Sequence, residues 1–408
     1  MGQLLKYFQL ICLFISVICF NSYSQVNQDD IYSLNLGDFG EKIENVISLT
    51  ISSLQYEALQ SNTGEKYSIR ANRLIINGDT LEPKEISTRG QSSLMFKRKS
   101  LGFRLKSEAS FRHADRKESL NRFSLISLSM DKYYCRNRLA FEMMEEIGIF
   151  KLFYSFCELR INGRSEGIFM IIEQPEDWAL RKEYSPLVIR RGYNHTIEKT
   201  KTDDKTDKAN TKKYLSYYRQ IYMSLNKQKG EELYKTLSEW IDVDFYLKWL
   251  AFNFLVHNGD YSDEVFFYID PEIKKYRIIP WDYDDIFAIT PHEGKEQRNK
   301  VIGDKLLYSS EDKLDEIIAT DPYLYEAYLK ALKEVLDKLP PVFMKKVFEN
   351  SYAELYPFYL NQEIISQAQF DYFKDANIEN LNIYMFTLYS SLRTSWNLYM
   401  QYLQNRNK

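Results

Sequence analysis

The chain has 408 residues, 44 % of them hydrophobic and 27 % charged, which excludes the disordered, collagen-like and fibrous classes. Its 54 Lys and Arg nearly balance 57 Asp and Glu, a formal net charge of −3, so no global positive field draws it onto a nucleic-acid backbone. The length admits one large domain or two ordinary ones, and 32 Tyr with 25 Phe against only 15 Gly and 10 Pro point to well-packed elements with aromatic surfaces.

The first stretch reads as a processing signal. Lys6 precedes an apolar run from Phe8 to Phe20, and Ser22 and Ser24 stand at the small-residue positions before a cut at Gln25. An uncleaved membrane anchor ranks lower, because the run is shorter than the roughly 20 residues a helix needs to cross. A lipid attachment at Cys19 ranks lower too, since Val17-Ile18 lack the usual small residue. Loss of residues 1–24 leaves Cys135 and Cys157, too few for a disulfide scaffold. They suffice for one bridge, yet one falls in a helical pattern and the other in an apolar strand pattern, where each reads as a small buried hydrophobe. No later segment is apolar enough to span a membrane, so an exported soluble protein is expected: periplasmic, cell-surface or secreted.

Residues 25–194 have a β-rich texture. Ile47, Leu49 and Ile51 alternate, Asn77-Gly78 breaks a strand pair, and Leu101 to Leu105 alternates again. One helix is expected from Lys132 to Ile147, with Leu139, Met143, Met144 and Ile147 on one face and Gly148 as its stop. Two apolar runs, Phe156–Ile161 and Gly167–Ile172, flank Asn162-Gly163 as a hairpin, and a helical piece from Glu176 to Arg181 follows. Residues 195–213 are Thr, Lys and Asp with almost nothing apolar, a composition that buries no core and reads as a solvated loop or linker. From 214 to 408 the pattern is helical: Tyr214–Leu225, Glu231–Glu239, a strong helix from Val243 to His257, and several more from Glu311 onward. Two short strands around Asp270-Pro271 are the exception. A β-rich lobe followed by a helical one is an α+β two-lobe layout. The last helix, Phe386 to Leu403, suits either packing on the second lobe or association.

Familiar chemical signatures are missing. Neither glycine-rich phosphate motif occurs, and the histidines at 113, 195, 257 and 292 form no zinc pattern. Gly163-Arg164-Ser165-Glu166-Gly167 matches G-x-S-x-G, but a β-branched run follows where a nucleophile elbow needs a helix, so Ser165 is placed at a hairpin turn.

What remains is a cluster of carboxylates. The helix ending at His257 runs into Asn258-Gly259-Asp260, stop and turn residues that deliver Asp260 just past a helix end. Downstream, Asp282 and Asp284 are spaced to share one face of an extended segment. Hard oxygen ligands on two loops suit Mg²⁺ or Mn²⁺ with substrate phosphates, while Asp and Asn are also common in turns for local hydrogen-bonding reasons. Upstream, Arg89-Gly90-Gln91-Ser92-Ser93 and Lys97-Arg98-Lys99-Ser100 combine free backbone N–H groups with fixed charge, as phosphate binding needs, or simply form a basic strand edge.

Taken in order, these pieces resemble the spore-coat protein H (CotH) kinase family. They are Arg89–Ser93 with Lys99-Ser100, then Arg136-Asn137-Arg138-Leu139-Ala140, then Leu159–Gly163 through Gly167-Ile168-Phe169 to Glu173. His257-Asn258-Gly259-Asp260 and Pro280-Trp281-Asp282-Tyr283-Asp284 complete the set, which covers roughly residues 85 to 290. The resemblance implies an atypical protein-kinase-like fold and transfer of the γ-phosphoryl of ATP to Ser or Thr of protein substrates.

By that resemblance Asp260 is the catalytic aspartate, and Asp282, with Asp284 as second candidate, holds Mg²⁺ or Mn²⁺. Lys99 is the phosphate-contacting lysine, Glu173 its ion-pair partner, and Arg89 an aid at the phosphates. Where many relatives carry asparagine after the catalytic aspartate, this chain has Asp263-Glu264-Val265; Glu264 is a replacement cation ligand that adds negative charge near the nucleotide. The implied partners are ATP and a protein substrate. Two other readings compete: an inactive relative that uses the cleft to bind a protein or surface polymer, and a carboxylate-pair glycoside hydrolase built on Asp260 and Asp282, against which the resemblance speaks.

Overall fold

A computed structural model describes residues 34–37, 39–61, 64–203, 208–262 and 265–406. The proposed signal segment, 1–24, and Glu264 lie outside them. The chain divides into a unit ending at Gly37, whose described residues 34–37 hold no regular element, and a unit from Asp38 to the C-terminus. The second unit carries the α+β two-lobe layout expected from the sequence.

Its β-rich half is a sheet of nine strands. They are β1 (Val46–Thr50), β2 (Ser68–Ile69), β3 (Arg73–Ile76), β4 (Asp79–Leu81), β5 (Pro83–Arg89), β6 (Ser100–His113), β7 (Arg116–Ile126), β8 (Tyr154–Ile161) and β9 (Arg164–Glu173), in the order β2-β5-β6-β7-β9-β8-β1-β3-β4. All neighbours are antiparallel except β1 and β8. The expected alternation is realised: Ile47 and Leu49 on β1 and Leu101, Phe103 and Leu105 on β6 all face one core with Phe111, Phe123 and Leu159. Asn77-Gly78 and Asn162-Gly163 form hairpin turns, and Ser165 follows the second of them as the second residue of β9 rather than crowning an elbow.

Two helices accompany this sheet, α1 (Ser53–Gln60) and α2 (Arg136–Glu146). Leu139, Met143 and Met144 of α2 are buried as the periodicity predicts. Cys135 and Cys157 are both buried free thiols, so they act as small hydrophobes and form no bridge.

The second half is built from α3 (Lys208–Ser224), α4 (Gly230–Trp240), α5 (Val243–Leu255), α6 (Lys295–Ile302), α7 (Lys313–Thr320), α8 (Pro322–Lys338), α9 (Pro341–Leu360) and α10 (Ile378–Arg406). It holds a smaller sheet, β10 (Leu187–Arg191), β11 (Ile197–Thr202), β12 (Phe266–Ile269) and β13 (Tyr276–Ile279), in the order β11-β10-β12-β13. The segment 195–213, expected to be a solvated linker, is therefore corrected: it contains edge strand β11 and the start of α3. An edge strand needs backbone partners on one side only, so Thr and Lys side chains stay in water while the ladder forms, and composition alone does not exclude it.

α10 packs on α5, α8 and α9 and not outward, with Trp396 Nε1 donating to the Leu336 carbonyl at 2.8 Å. The stretch after α9 returns to the β-rich half, where buried Arg98 pairs with Asp371 and the Ser165 N–H donates to Glu363 at 3.0 Å. Among the described residues no helix is long and apolar enough to cross a membrane.

Candidate active site

A cleft of about 460 Å³ lies between the two halves, and Arg89, Asp260, Asp282 and Asp284 all line it. Four sequence-predicted residues from three separate segments are thus brought together.

Asp260 is placed by the end of α5. Buried Asn258 donates through Nδ2 to Asn253 Oδ1 at 3.0 Å and accepts the Asp260 N–H through Oδ1 at 3.2 Å, which turns the chain sharply into the cleft. The loop is then zipped to the one carrying Asp282 and Asp284. Phe287 N–H donates to the Val256 carbonyl at 2.7 Å, Ala288 N–H to His257 at 3.0 Å, and Gly259 N–H to Asp285 at 3.0 Å. Gly259 sits where a Cβ would come within 2.1 Å of Asp285 Oδ2 and 2.9 Å of Ala288 Cβ, so a hydrogen is required there for the two aspartate loops to approach.

The Asp282–Asp284 loop is held from the other half by the first turn of α2. Asn137 Oδ1 accepts the Tyr283 N–H at 2.8 Å, and Arg136 donates to the Asp284 carbonyl at 2.6 Å. Asn137 is itself fixed by Asp131, fully buried, which accepts from Asn137 Nδ2 at 2.9 Å and from the N–H groups of Arg136 and Asn137 at 2.8 and 2.9 Å. Burial raises the Asp131 carboxyl to about 6 against these stabilising donors. The Arg136-Asn137 motif thus positions the acidic loop. Tyr283, between the aspartates, is buried and accepts Trp249 Nε1–H at 3.0 Å.

Asp282 adopts φ +57°, a left-handed conformation that a non-glycine residue holds only when its surroundings impose it. Burial raises its carboxyl, while Arg89 and Arg190 oppose that rise. Asp284 is pushed well above the ordinary carboxylate range, first by burial and then by the neighbouring Asp282 and Asp131 carboxylates. Two half-buried carboxylates, one of them raised by the charge of the other, are suited to a hard divalent cation, which would relieve that repulsion. Among the described residues no group of three or more acidic, His or Cys side chains converges on a metal position. The pair fits Mg²⁺ or Mn²⁺, cations that take one or two carboxylates and complete their shell with phosphate oxygens and water.

Arg89 ends β5 opposite Ser100, with its guanidinium 5.2 Å from the Trp281 ring centre. Gly90 has φ +102°, and a Cβ there would strike Ser93 Oγ at 1.9 Å, so the turn depends on glycine.

Lys99 and Glu173 do not join the cleft. Lys99 is buried and donates to the Ser61 and Phe96 carbonyls, at 2.5 and 3.0 Å, and burial lowers its ammonium pKa. Glu173 is buried against Lys182, at 3.0 Å, so the expected Lys99–Glu173 pair is replaced by two separate interactions. Cleft-lining Ser100 begins β6, whereas Lys99 stands just before the strand, where the carbonyls of Ser61 and Phe96 take up its ammonium. The cleft instead receives Lys66, Arg190, Lys199 and Lys201, with Glu176 contacting both of the last two. Lys199 and Lys201 fall in the segment read as a linker, where the K-T-K-T spacing of residues 199–202 is the available sign of a one-faced strand.

The CotH kinase protein family model matches residues 86–408. The inner spore coat protein H of Bacillus subtilis (strain 168) is 23 % identical over 291 residues, 68 % of this chain and 77 % of that protein. The crystal structure of the Helicobacter pylori proinflammatory kinase CtkA aligns over 69 % of this chain and 94 % of its own at 12 % identity, with a TM-score of 0.30, a superposition too loose to bear on the site. The family match takes in the cleft segments from Arg89 through Arg136-Asn137 to the two aspartate loops, and by it the chain belongs to the CotH kinase family.

Proposed function

We propose that this chain is a kinase that transfers the γ-phosphoryl group of ATP to a serine or threonine hydroxyl of an envelope or secreted protein. The observation that carries the reading is the convergence of Asp260, Asp282, Asp284 and Arg89 on one cleft. Family membership supports the same class of reaction.

In this reading Asp260 receives or orients the proton of the acceptor hydroxyl as its oxygen bonds to the γ-phosphorus and the bond to the bridging oxygen breaks. Asp282 and Asp284 would hold Mg²⁺ or Mn²⁺, which neutralises phosphate charge when bound. Arg89, fixed over Trp281, adds positive charge to the β-rich wall. Export rests on the leader-like residues 1–24, and the spore-coat role named for the Bacillus relative is in keeping with it.

One observation favours a second reading, a binding module without transfer: Lys99 is committed to backbone carbonyls. Purified protein with Mg²⁺ or Mn²⁺ and γ-labelled ATP separates the two. Transfer of label that Asp260→Ala abolishes is expected; absence of both nucleotide binding and transfer in the unaltered protein leaves the binding module.

A further inference from the structure

We propose that the polyphosphate of the nucleotide is gripped by one face of the smaller sheet, through Arg190, Lys199 and Lys201, with Glu176 fixing the direction of Lys199. This rests on the nucleotide-dependent reading of the cleft and supplies the phosphate contacts that Lys99 does not make.

Register carries the first step. Arg190 of β10 stands directly opposite Lys199 of β11, and Val188 opposite Lys201, so the three cations share one face of the sheet. All three line the cleft with Asp260 and Asp282. Like charges directly opposite across strands repel, and here each is partly offset, Arg190 by Glu198 at 3.6 Å and Lys199 by Glu176, while a guanidinium and two ammonium groups keep further donors for an anion in the cleft.

Glu176 carries the second step. Its side chain is 8 % exposed, while Lys199 and Lys201 are 51 % and 40 % exposed, so the carboxylate lies beneath two ammonium groups that remain open to the cleft. Lys199 is in close contact with it and Lys201 lies at 3.7 Å. An ammonium has three donors, so a lysine held by one carboxylate keeps donors for phosphate oxygens. Lysines on an edge strand often serve only to block further pairing. That role accounts for neither the buried carboxylate beneath them nor the arginine opposite.

The test is the affinity of the full chain, with Mg²⁺, for adenosine, AMP, ADP and ATP, read by calorimetry. In the unaltered protein affinity is expected to climb with each phosphate. Lys199→Ala with Lys201→Ala should weaken ATP at least tenfold, weaken AMP much less and leave adenosine unchanged, and the double Lys→Arg variant should recover most of the loss. Glu176→Gln should weaken ATP severalfold even though it removes a negative charge from the cleft; tighter binding would overturn its positioning role. Lys99→Met should keep the full climb. A climb that survives in the double alanine variant overturns the inference alone, whereas an unaltered protein that binds none of the four ligands overturns the nucleotide reading and the inference with it.

Discussion

Asn137→Ala removes the side-chain hydrogen bond that ties α2 to the acidic loop at Tyr283. The substitution deletes the 2.8 Å bond to the Tyr283 N–H and the 2.9 Å bond to Asp131. Asp131 keeps its two backbone donors, at 2.8 and 2.9 Å, so the helix cap survives. The orphaned Tyr283 N–H belongs to a buried residue, and such a group left without a partner costs about 1–3 kcal/mol. Asp282 next to it holds a left-handed conformation, itself worth about 1–2 kcal/mol of strain in a non-glycine residue, which the loop would relax once released. A stability loss of about 2 kcal/mol is expected, which for a unit of this size is a fall in melting temperature of roughly 2–3 °C. Displacement of a reacting group by about 1 Å costs on the order of a hundredfold in rate, so phosphoryl transfer should fall by at least tenfold at saturating nucleotide. Thermal melts and single-turnover label transfer measure the two. Lost stability with unaltered transfer would make Asn137 a packing residue only, and no loss of either kind would refute the positioning role.

Gly259→Ala should weaken both activity and stability, by about 1–3 kcal/mol in a melt, because Ala288 Cβ at 2.9 Å cannot swing aside as the Asp285 carboxylate can. Lys99→Met should lower the melting temperature, since the Ser61 and Phe96 carbonyls lose their donor, while a retained climb of affinity with phosphate number checks that this lysine is structural. Stability should also depend on His113, whose buried ring is held near a pKa of about 4, against 6.5 unfolded, first by burial. The unfolded chain binds the extra proton between these values, so this contribution is complete above pH 6.5 and is lost as pH falls toward 4, up to about 3 kcal/mol. Asp131 works in the opposite sense between 3.8 and about 6, because there the folded state binds the proton more tightly. Denaturant titrations at pH 7 and pH 5 should therefore show a smaller drop for His113→Gln than for the unaltered protein; equal drops would contradict the buried neutral ring.

Much of the fold was legible because period and burial agree. The alternation at Ile47 and Leu49, the Asn-Gly hairpins and the buried face of α2 are local patterns that tertiary structure merely completes. The aspartates were legible for the same reason: Asn258-Gly259 is a helix stop, and a residue just past a stop is delivered to a loop. β11 was not legible, because an edge strand with exposed Thr and Lys shows no apolar alternation and its partner β10 is the only proof of it. Lys99 failed for a different reason. It stands just before β6, and its capture by the Ser61 carbonyl, 38 residues away in the chain, leaves no local sequence signal. The role of Arg136-Asn137 was also hidden, since its hydrogen bonds span about 150 residues to Tyr283 and Asp284.

The claim that this cleft moves a phosphoryl group is tested most directly by γ-labelled ATP, Mg²⁺ and a Ser- or Thr-containing protein acceptor, with Asp260→Ala and Asp282→Ala alongside. Expected is label on the acceptor with the unaltered protein, none with either variant, and nucleotide binding retained by Asp260→Ala. Transfer undiminished by Asp260→Ala would contradict the assignment.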